Sequence, residues 1–478
     1  MRWERERADW KLRGWGFAVH SFTAETSLPH PVREVFDWHT RPGAIRRLLP
    51  PWEPVTVAQE APDLAEGAEA ILRLAGPPAS IAPRWVARHT ALEPPHEFTD
   101  VQISGPFDSW RHRHVFDETD TGCDLRDEVS YQLPLGSAGE LAAGQVQARL
   151  RRMFAYRHRQ LADDLAAHAA AGSAPLTVAV AGASGLIGQA LTAFLTTGGH
   201  RVIRLVRRTP RVPDEVFWDP ERASLDPDAL RPADAVVNLA GAPIAGRFTH
   251  AHKDAVRRSR ILGTGLLART LATLRREDAG PRVFVSGSAI GYYGAERGTE
   301  RVDEQSGPGT DFLATLCREW EAAAGPAREA GVRVVQVRTG VVQSPAGGML
   351  RYQLPQFLAA AGGRLGPGDQ WLSWVSIDDI VGIFHHALTN DEISGPVNGT
   401  APAPVTNASY TATLARVLHR PAVLPVPAFA PRLLLGGEGA QLTVLASQNA
   451  HPDVLARSGY RFRQPDLESC LRHVLGRV

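Results

Sequence analysis

Apolar and polar positions follow two different rhythms along this chain. Between residues 17 and 135 they alternate, one in and one out, in stretches such as "RWVARHTAL", "EFTDVQIS", "SWRHRHVFDE" and "CDLRDEVSYQL". Period-two alternation broken by Pro, Gly and Asp turns predicts half-buried antiparallel strands. "PVREVFDWHT" near the start predicts a short helix. Residues 138–168 predict a long one, because Val146, Leu150, Met153, Phe154, Leu161 and Leu165 fall on a single stripe. The arginines between 147 and 159 then read as the solvated face of that helix.

From residue 177 the rhythm changes. "TVAVAG", "RVIRLVR", "EVFW", "DAVVNLAG", "RVFVSGS" and "RVVQVRTG" are short and mostly apolar on both sides, with helical stretches between most of them. That pattern predicts a parallel sheet covered on both faces. The change falls at "AAHAAAGSAPLT", residues 166–177, a small-residue linker. We therefore divide the chain into an arm (1–16), a first domain (17–170), a linker (171–176), a sheet domain (177–400) and a helical C-terminal lobe (401–478).

With 478 residues, 44% of them hydrophobic and 22% charged, the chain can build two or three cores. A net charge of +1 gives no electrostatic reason to expect nucleic acid or an anionic membrane as partner. No apolar run approaches the roughly 18 residues a span needs. The start, "MRWERERADWKLRGW", has no apolar core of a secretory signal. Three scattered cysteines, Cys123, Cys317 and Cys470, suit a reducing compartment better than a disulfide framework. The expectation is a cytoplasmic protein; its oligomeric state is left open.

The candidate chemistry starts at "VAVAGASGLIGQAL". Gly182, Gly185 and Gly188 follow a strand and open a helix, with Ser184, Leu186 and Ile187 between and beside them. Such glycines permit a tight turn, let backbone approach a pyrophosphate and leave a helix N-terminus facing it. An acidic residue at the end of the second strand would select NAD through the ribose 2′-hydroxyl. Arg207 and Arg208 stand there instead, and guanidinium groups suit a 2′-phosphate, so NADP(H) is expected over NAD(H). The pairs His112/His114 and His385/His386 lack the spacing of a metal site, and none is expected.

"GASGLIG", "VVNLAG", "SGSAIGYYG", "VRTGVV" and "WLSWVSIDDI" together resemble the extended, epimerase-like short-chain dehydrogenase/reductases, and within them the "epimerase family protein" subgroup labelled cell-division-inhibitor-like. The ending "LASQNAHPDVLARSGYRFRQPDLESCLRHVL" resembles the domain of unknown function that closes that subgroup's chains. The first domain resembles the START/Bet v 1-like helix-grip fold (SRPBCC), with "SLPHPVREVFDWHTRP" its most family-like stretch. The implied fold is an α+β helix-grip domain followed by an α/β Rossmann-type doubly wound sheet with a small C-terminal lobe. The resemblance implies that Asn238, Ala240 and Gly241 close over the adenine–ribose side and that Asp219 meets adenine. It places Ser286 and Ser288 at the end of the fifth strand, Ser288 as the serine that bonds a substrate carbonyl. Arg338 falls near the nicotinamide. The first domain is expected to hold an apolar ligand or to be a packed core without one.

One departure is plain. The superfamily carries Tyr-x-x-x-Lys on the helix that here reads "TDFLATLCREWEAAA", the lysine lowering the tyrosine's pKa for proton transfer. Aligned on Glu321, the tyrosine slot holds Leu313 and the lysine slot Cys317; no lysine follows Lys253. Two readings follow. The chain is an oxidoreductase or epimerase acting on a small molecule, with Tyr292 or Tyr293 as proton donor, or it binds NADP(H) without turnover as a sensor or scaffold. Cys317 as a nucleophile is the weaker idea, since cysteines on amphipathic helices are usually buried and inert.

Overall fold

The computed structural model describes residues 18–74, 83–427 and 429–477. The expected arm at 1–16 lies outside them. The chain separates into two compact units, Met1–Leu165 and Ala166–Val478.

The first unit is built on one antiparallel seven-stranded sheet, in the order His20–Leu28, Gly122–Gln132, Ser109–Thr119, Glu97–Ser104, Arg84–Glu93, Glu69–Leu74, Val55–Gln59. Its strands alternate because only one face is covered. Along Gly122–Gln132, Cys123, Leu125, Asp127, Val129 and Tyr131 are buried in every second place. The cover is the helix Val32–Thr40, which buries Val35, Phe36 and Trp38, together with the long helix Ala143–Ala171. That long helix buries Leu150, Phe154, Leu161 and Leu165, four of the six stripe positions; Val146 and Met153 pack at the core's margin. The arginines expected on its solvated face are not all there. Arg157 points toward the interior, where its Nε donates to the Leu48 carbonyl at 3.3 Å, because its ring-facing side falls on the covered flank of the helix. An internal ion pair locks this helix to the rest: Arg47 and Asp164 meet through two bonds of 2.7 Å, with side chains 6% and 0% exposed.

The second unit contains an eight-stranded sheet ordered Ser224–Leu225, Glu215–Asp219, Arg201–Val206, Thr177–Ala181, Ala235–Asn238, Val283–Ala289, Arg333–Thr339, Gly395–Gly399. All pairs are parallel except the edge hairpin. Both faces are buried. Val178 and Val180 point into a core with Leu191, Phe194 and Ile380, while Ala179 and Ala181 point into another with Leu267 and Leu271. The sheet order reverses between Thr177–Ala181 and Ala235–Asn238, which opens a crevice at their carboxyl ends.

The strand Gly395–Gly399 and the strand Ser447–Ala450 have no apolar pattern in the sequence. "GPVNG" and "SQNA" hold almost no β-branched residues, and each is a strand only because a formed neighbour offers it hydrogen bonds. The C-terminal lobe is thus not purely helical, since Ser447–Ala450 pairs with Glu296–Val302. Among the described residues no helix is long and apolar enough to cross a membrane.

Two outcomes are expected. Limited proteolysis should cut at Gly172–Pro175, which is exposed and outside any helix or strand, and should leave two folded pieces resolved by gel filtration. Arg47→Ala should cost about 3 kcal/mol in urea denaturation, because it takes the guanidinium away from the buried Asp164 carboxylate, while Arg47→Met with Asp164→Leu should recover most of the loss.

Candidate functional site

The crevice is floored by the turn after Thr177–Ala181. Gly182 has φ +83, and a side chain there would stand 2.6 Å from the Leu239 carbonyl carbon. At Gly188 a side chain would collide with the Gly182 carbonyl. Two of the three glycines are therefore fixed by geometry, and the third, Gly185, caps the helix Leu186–Thr197 with no side-chain hydrogen bond. The first amides of that helix are left for an anion. Ser184 is exposed and Leu186 and Ile187 are half-buried at the same turn.

Asn238 ends its strand fully buried. Its Nδ2 donates to Thr264 Oγ1 at 2.8 Å and its Oδ1 accepts from the Ala240 amide at 3.1 Å. Trp320 Nε1 donates to the same Thr264 hydroxyl, so the segment through Ala240 and Gly241 is held from below. Asp219 accepts from the amides of Glu221 and Arg222, which makes it a cap for the turn that follows. At the end of Arg201–Val206, Arg207 is exposed and makes no ion pair or hydrogen bond among the described residues. Arg208 is engaged: both its terminal nitrogens reach Glu215, at 2.7 and 2.6 Å. That guanidinium holds the Glu215 carboxyl down at about 2, with the Arg211 amide as second cause.

The carboxyl ends of Val283–Ala289 and Arg333–Thr339 carry a second group of residues, in register as Ser288 beside Arg338. Arg338 meets Glu321 in a two-pronged pair, Nε to Oε1 at 2.8 Å and Nη2 to Oε2 at 2.9 Å. Ser288 donates to the same carboxylate at 2.7 Å. The guanidinium lies over the Tyr292 ring, 3.4 Å from its centre, and donates to the Tyr293 hydroxyl at 3.1 Å. Tyr293 is wholly buried and donates onward to Asn398 at 2.8 Å; burial pushes its hydroxyl up to about 12 despite Arg338. Tyr292 is half-buried. Ser286 is buried, its hydroxyl bonded to the Gly287 carbonyl at 3.2 Å.

The helix Phe312–Ala322 begins on Asp311, whose side chain accepts from the Ala314 amide. Leu313 and Cys317 are buried on the face that meets Gly291. Burial pushes the Cys317 thiol up to about 12, helped by the nearby Glu321 carboxylate, so it has little nucleophilic character at neutral pH. One turn after Cys317, which fills the lysine slot, Glu321 brings a negative charge to the ends of these two strands. In the sequence Glu321 marks only the register of the helix. Its four-residue spacing from Cys317 was the available signal. Asn398, Thr264 and Trp320 gave none, because each reaches the site by tertiary packing.

The first unit has its own candidate site, a cavity of about 760 Å³ between sheet and helices, within the range of small-ligand pockets. Leu72, Trp85, Phe98 and Leu150 line it beside His39 and Arg157. Burial drives the His39 imidazole down to about 4, with His114 adding to the effect.

Comparison with known proteins agrees with this fold. The family described as NAD dependent epimerase/dehydratase matches residues 178–398. Polyketide cyclase / dehydrase and lipid transport matches 28–159, and a domain of unknown function (DUF1731) matches 426–474. The epimerase family protein Mb2239 of Mycobacterium bovis is 46% identical over 301 residues, which is 63% of this chain and 98% of that one. A crystal structure described as the nucleoside-diphosphate sugar epimerase from Corynebacterium glutamicum is 38% identical, with a TM-score of 0.79, covering 95% of this chain and 90% of its own. The human epimerase family protein SDR39U1 (isoform 2), solved with NADPH, is 32% identical with a TM-score of 0.58, covering 63% of this chain and all of its own. With its glycine turn at the sheet's switch point and these matches along both units, the chain belongs to the NAD dependent epimerase/dehydratase family, with a polyketide cyclase-type domain ahead of the NAD(P)-binding fold.

Proposed function

We propose that the protein is an NADP(H)-dependent oxidoreductase of epimerase type that moves hydride to a carbonyl carbon, or from a carbinol carbon whose hydroxyl gives up its proton, without the Tyr-x-x-x-Lys pair. The observation that carries this reading is the Ser288–Glu321–Arg338 cluster with Tyr292 stacked on it, at the carboxyl edge of the same sheet whose glycine turn receives the dinucleotide. Gly182, Ser184, Gly185, Leu186, Ile187 and Gly188 would take the pyrophosphate. Asp219, Asn238, Ala240, Gly241 and Ser286 would shape the adenine and ribose side. Arg338 supplies the cation that the helix lacks, and Glu321 keeps it in place.

Of the two tyrosines, Tyr292 is assigned the proton. Tyr293 is sealed in the core and spends its hydroxyl on Asn398, whereas Tyr292 keeps part of its surface exposed. Ser288 bonds the substrate oxygen by turning its hydroxyl away from Glu321. The free guanidinium of Arg207 recognises the 2′-phosphate, and Arg208 serves mainly to fix that strand end through Glu215. NADPH in the human relative's structure supports the choice of cofactor. The match to polyketide cyclase and lipid transport proteins supports a small apolar ligand for the first unit.

A second reading has its own observation. Ser288, Arg338 and Tyr293 all find partners inside the protein, which suits a domain that binds NADP(H) without turnover.

Calorimetry should find NADPH bound at least about tenfold more tightly than NADH, and Arg207→Asp should remove that difference, a change of about 1.4 kcal/mol, mainly by weakening NADPH. Equal affinities in the unaltered protein would remove the cofactor assignment. Nicotinamide absorbance should report turnover with a set of carbonyl substrates that includes nucleoside-diphosphate sugars. Tyr292→Phe should lower that rate by about 10²-fold while NADPH affinity stays within about twofold. NADPH binding with no turnover on any substrate would favour the second reading.

A further inference from the structure

The cavity of the first unit has a histidine-rich floor that the proposed reductase chemistry does not use. Its origin is the strand register. Asp100 on Glu97–Ser104 lies directly across from His112 on Ser109–Thr119, and His114 lies directly across from Asp127 on Gly122–Gln132. His112 and His114 are two residues apart on one strand, so both point to the same face, the one that lines the cavity. What looked like an isolated His-x-His in sequence is completed by carboxylates from the strands on either side.

Asp127 orients the two imidazoles. Its Oδ1 accepts from His112 Nε2 at 2.9 Å and lies 2.8 Å from His114 Nδ1, a close ionic approach without the alignment of a full hydrogen bond. Its Oδ2 accepts from His158 Nε2 at 2.7 Å. With those ring nitrogens turned to Asp127, the opposite nitrogens turn to Asp100. His112 Nδ1 is 3.5 Å and His114 Nε2 is 3.8 Å from Asp100 Oδ2. A tetrahedral ion with bonds near 2.1 Å sets its ligands about 3.4 Å apart. The separations found are therefore close to those of a preformed three-ligand shell, and all three atoms lie within 4.8 Å of one another. A carboxylate behind each ligating histidine is the usual way such rings are fixed and made more basic.

We propose that Asp100, His112 and His114 form a binding site for a divalent transition-metal ion of zinc type, whose open side faces the cavity. Two imidazoles and one carboxylate suit zinc better than magnesium or calcium, which prefer shells of oxygen. The fourth position then falls to an oxygen of the cavity's occupant, a carbonyl or carboxylate on an otherwise apolar small molecule, since Phe98, Leu72 and Trp85 supply the remaining walls. His89, whose Nδ1 is buried with no hydrogen-bond partner among the described residues, stands across from Asp100 on the neighbouring strand as a reserve ligand.

The test uses the full chain, freed of any affinity tag and of chelator. Calorimetric titration with zinc chloride should show one equivalent bound at this site, and cobalt(II) should give the strong visible bands of a tetrahedral ion. His114→Gln and Asp100→Asn should each weaken zinc at least about tenfold and abolish those bands, with far-ultraviolet circular dichroism unchanged. His385→Gln, in the separate His168, His200 and His385 group of the other unit, should leave the bands intact. If these variants fail to fold, the unaltered protein still decides the matter by crystallography: anomalous density of zinc between His112 and His114 supports the site. No zinc uptake, or uptake lost only in His385→Gln, overturns it. NADPH titration in parallel separates this result from the reductase reading, because the two sites lie in different units.

Discussion

A parallel sheet buried on both faces can meet a ligand only along its edges, and that constraint organises the second unit. Every strand from Arg201–Val206 to Arg333–Thr339 runs the same way, so their carboxyl ends gather on one side. The glycine turn, Asn238, Ser288 and Arg338 all lie toward those carboxyl ends because of that common direction. The faces themselves are spent on packing, with valines and alanines alternating into two cores. Deep burial of polar groups behind the crevice, at Asn238, Thr264 and Trp320, is tolerable because each has a partner.

At the edge formed by Ser288 and Arg338 the notable feature is a buried ion pair. The helix Phe312–Ala322 holds Cys317 in the slot of the expected lysine and supplies a carboxylate, Glu321, one turn later. An isolated carboxylate so close to the core would be costly, and Arg338 compensates it from the adjacent strand. The cation is thus retained in the site but comes from the sheet, not the helix. Its position over the Tyr292 ring, with one nitrogen on Tyr293, ties both tyrosines to the same ion pair.

The first unit uses the opposite arrangement. An antiparallel sheet covered on one side points every second residue at the helices, and the strands facing the cavity carry histidine and aspartate at those positions. The result is a polar floor under apolar walls. Charges this deep are held by mutual pairing, as also in Arg47 with Asp164 away from the cavity lining.

Much of this was determined by sequence alone. Period-two alternation marked the strands from Arg84–Glu93 to Gly122–Gln132, and apolar runs marked six of the parallel strands, because burial on one or both faces imposes its own spacing. The glycine turn was legible since Gly182 and Gly188 answer to local backbone geometry. The missing Tyr-x-x-x-Lys was equally plain. Tertiary structure alone decided what replaced it. Glu321 and Arg338, or Asp100 and His114, become neighbours only through strand register and helix packing, which no local pattern encodes. The polar strands Gly395–Gly399 and Ser447–Ala450 were invisible for the same reason: their stability comes from the hydrogen-bonding edge they join, not from their own side chains.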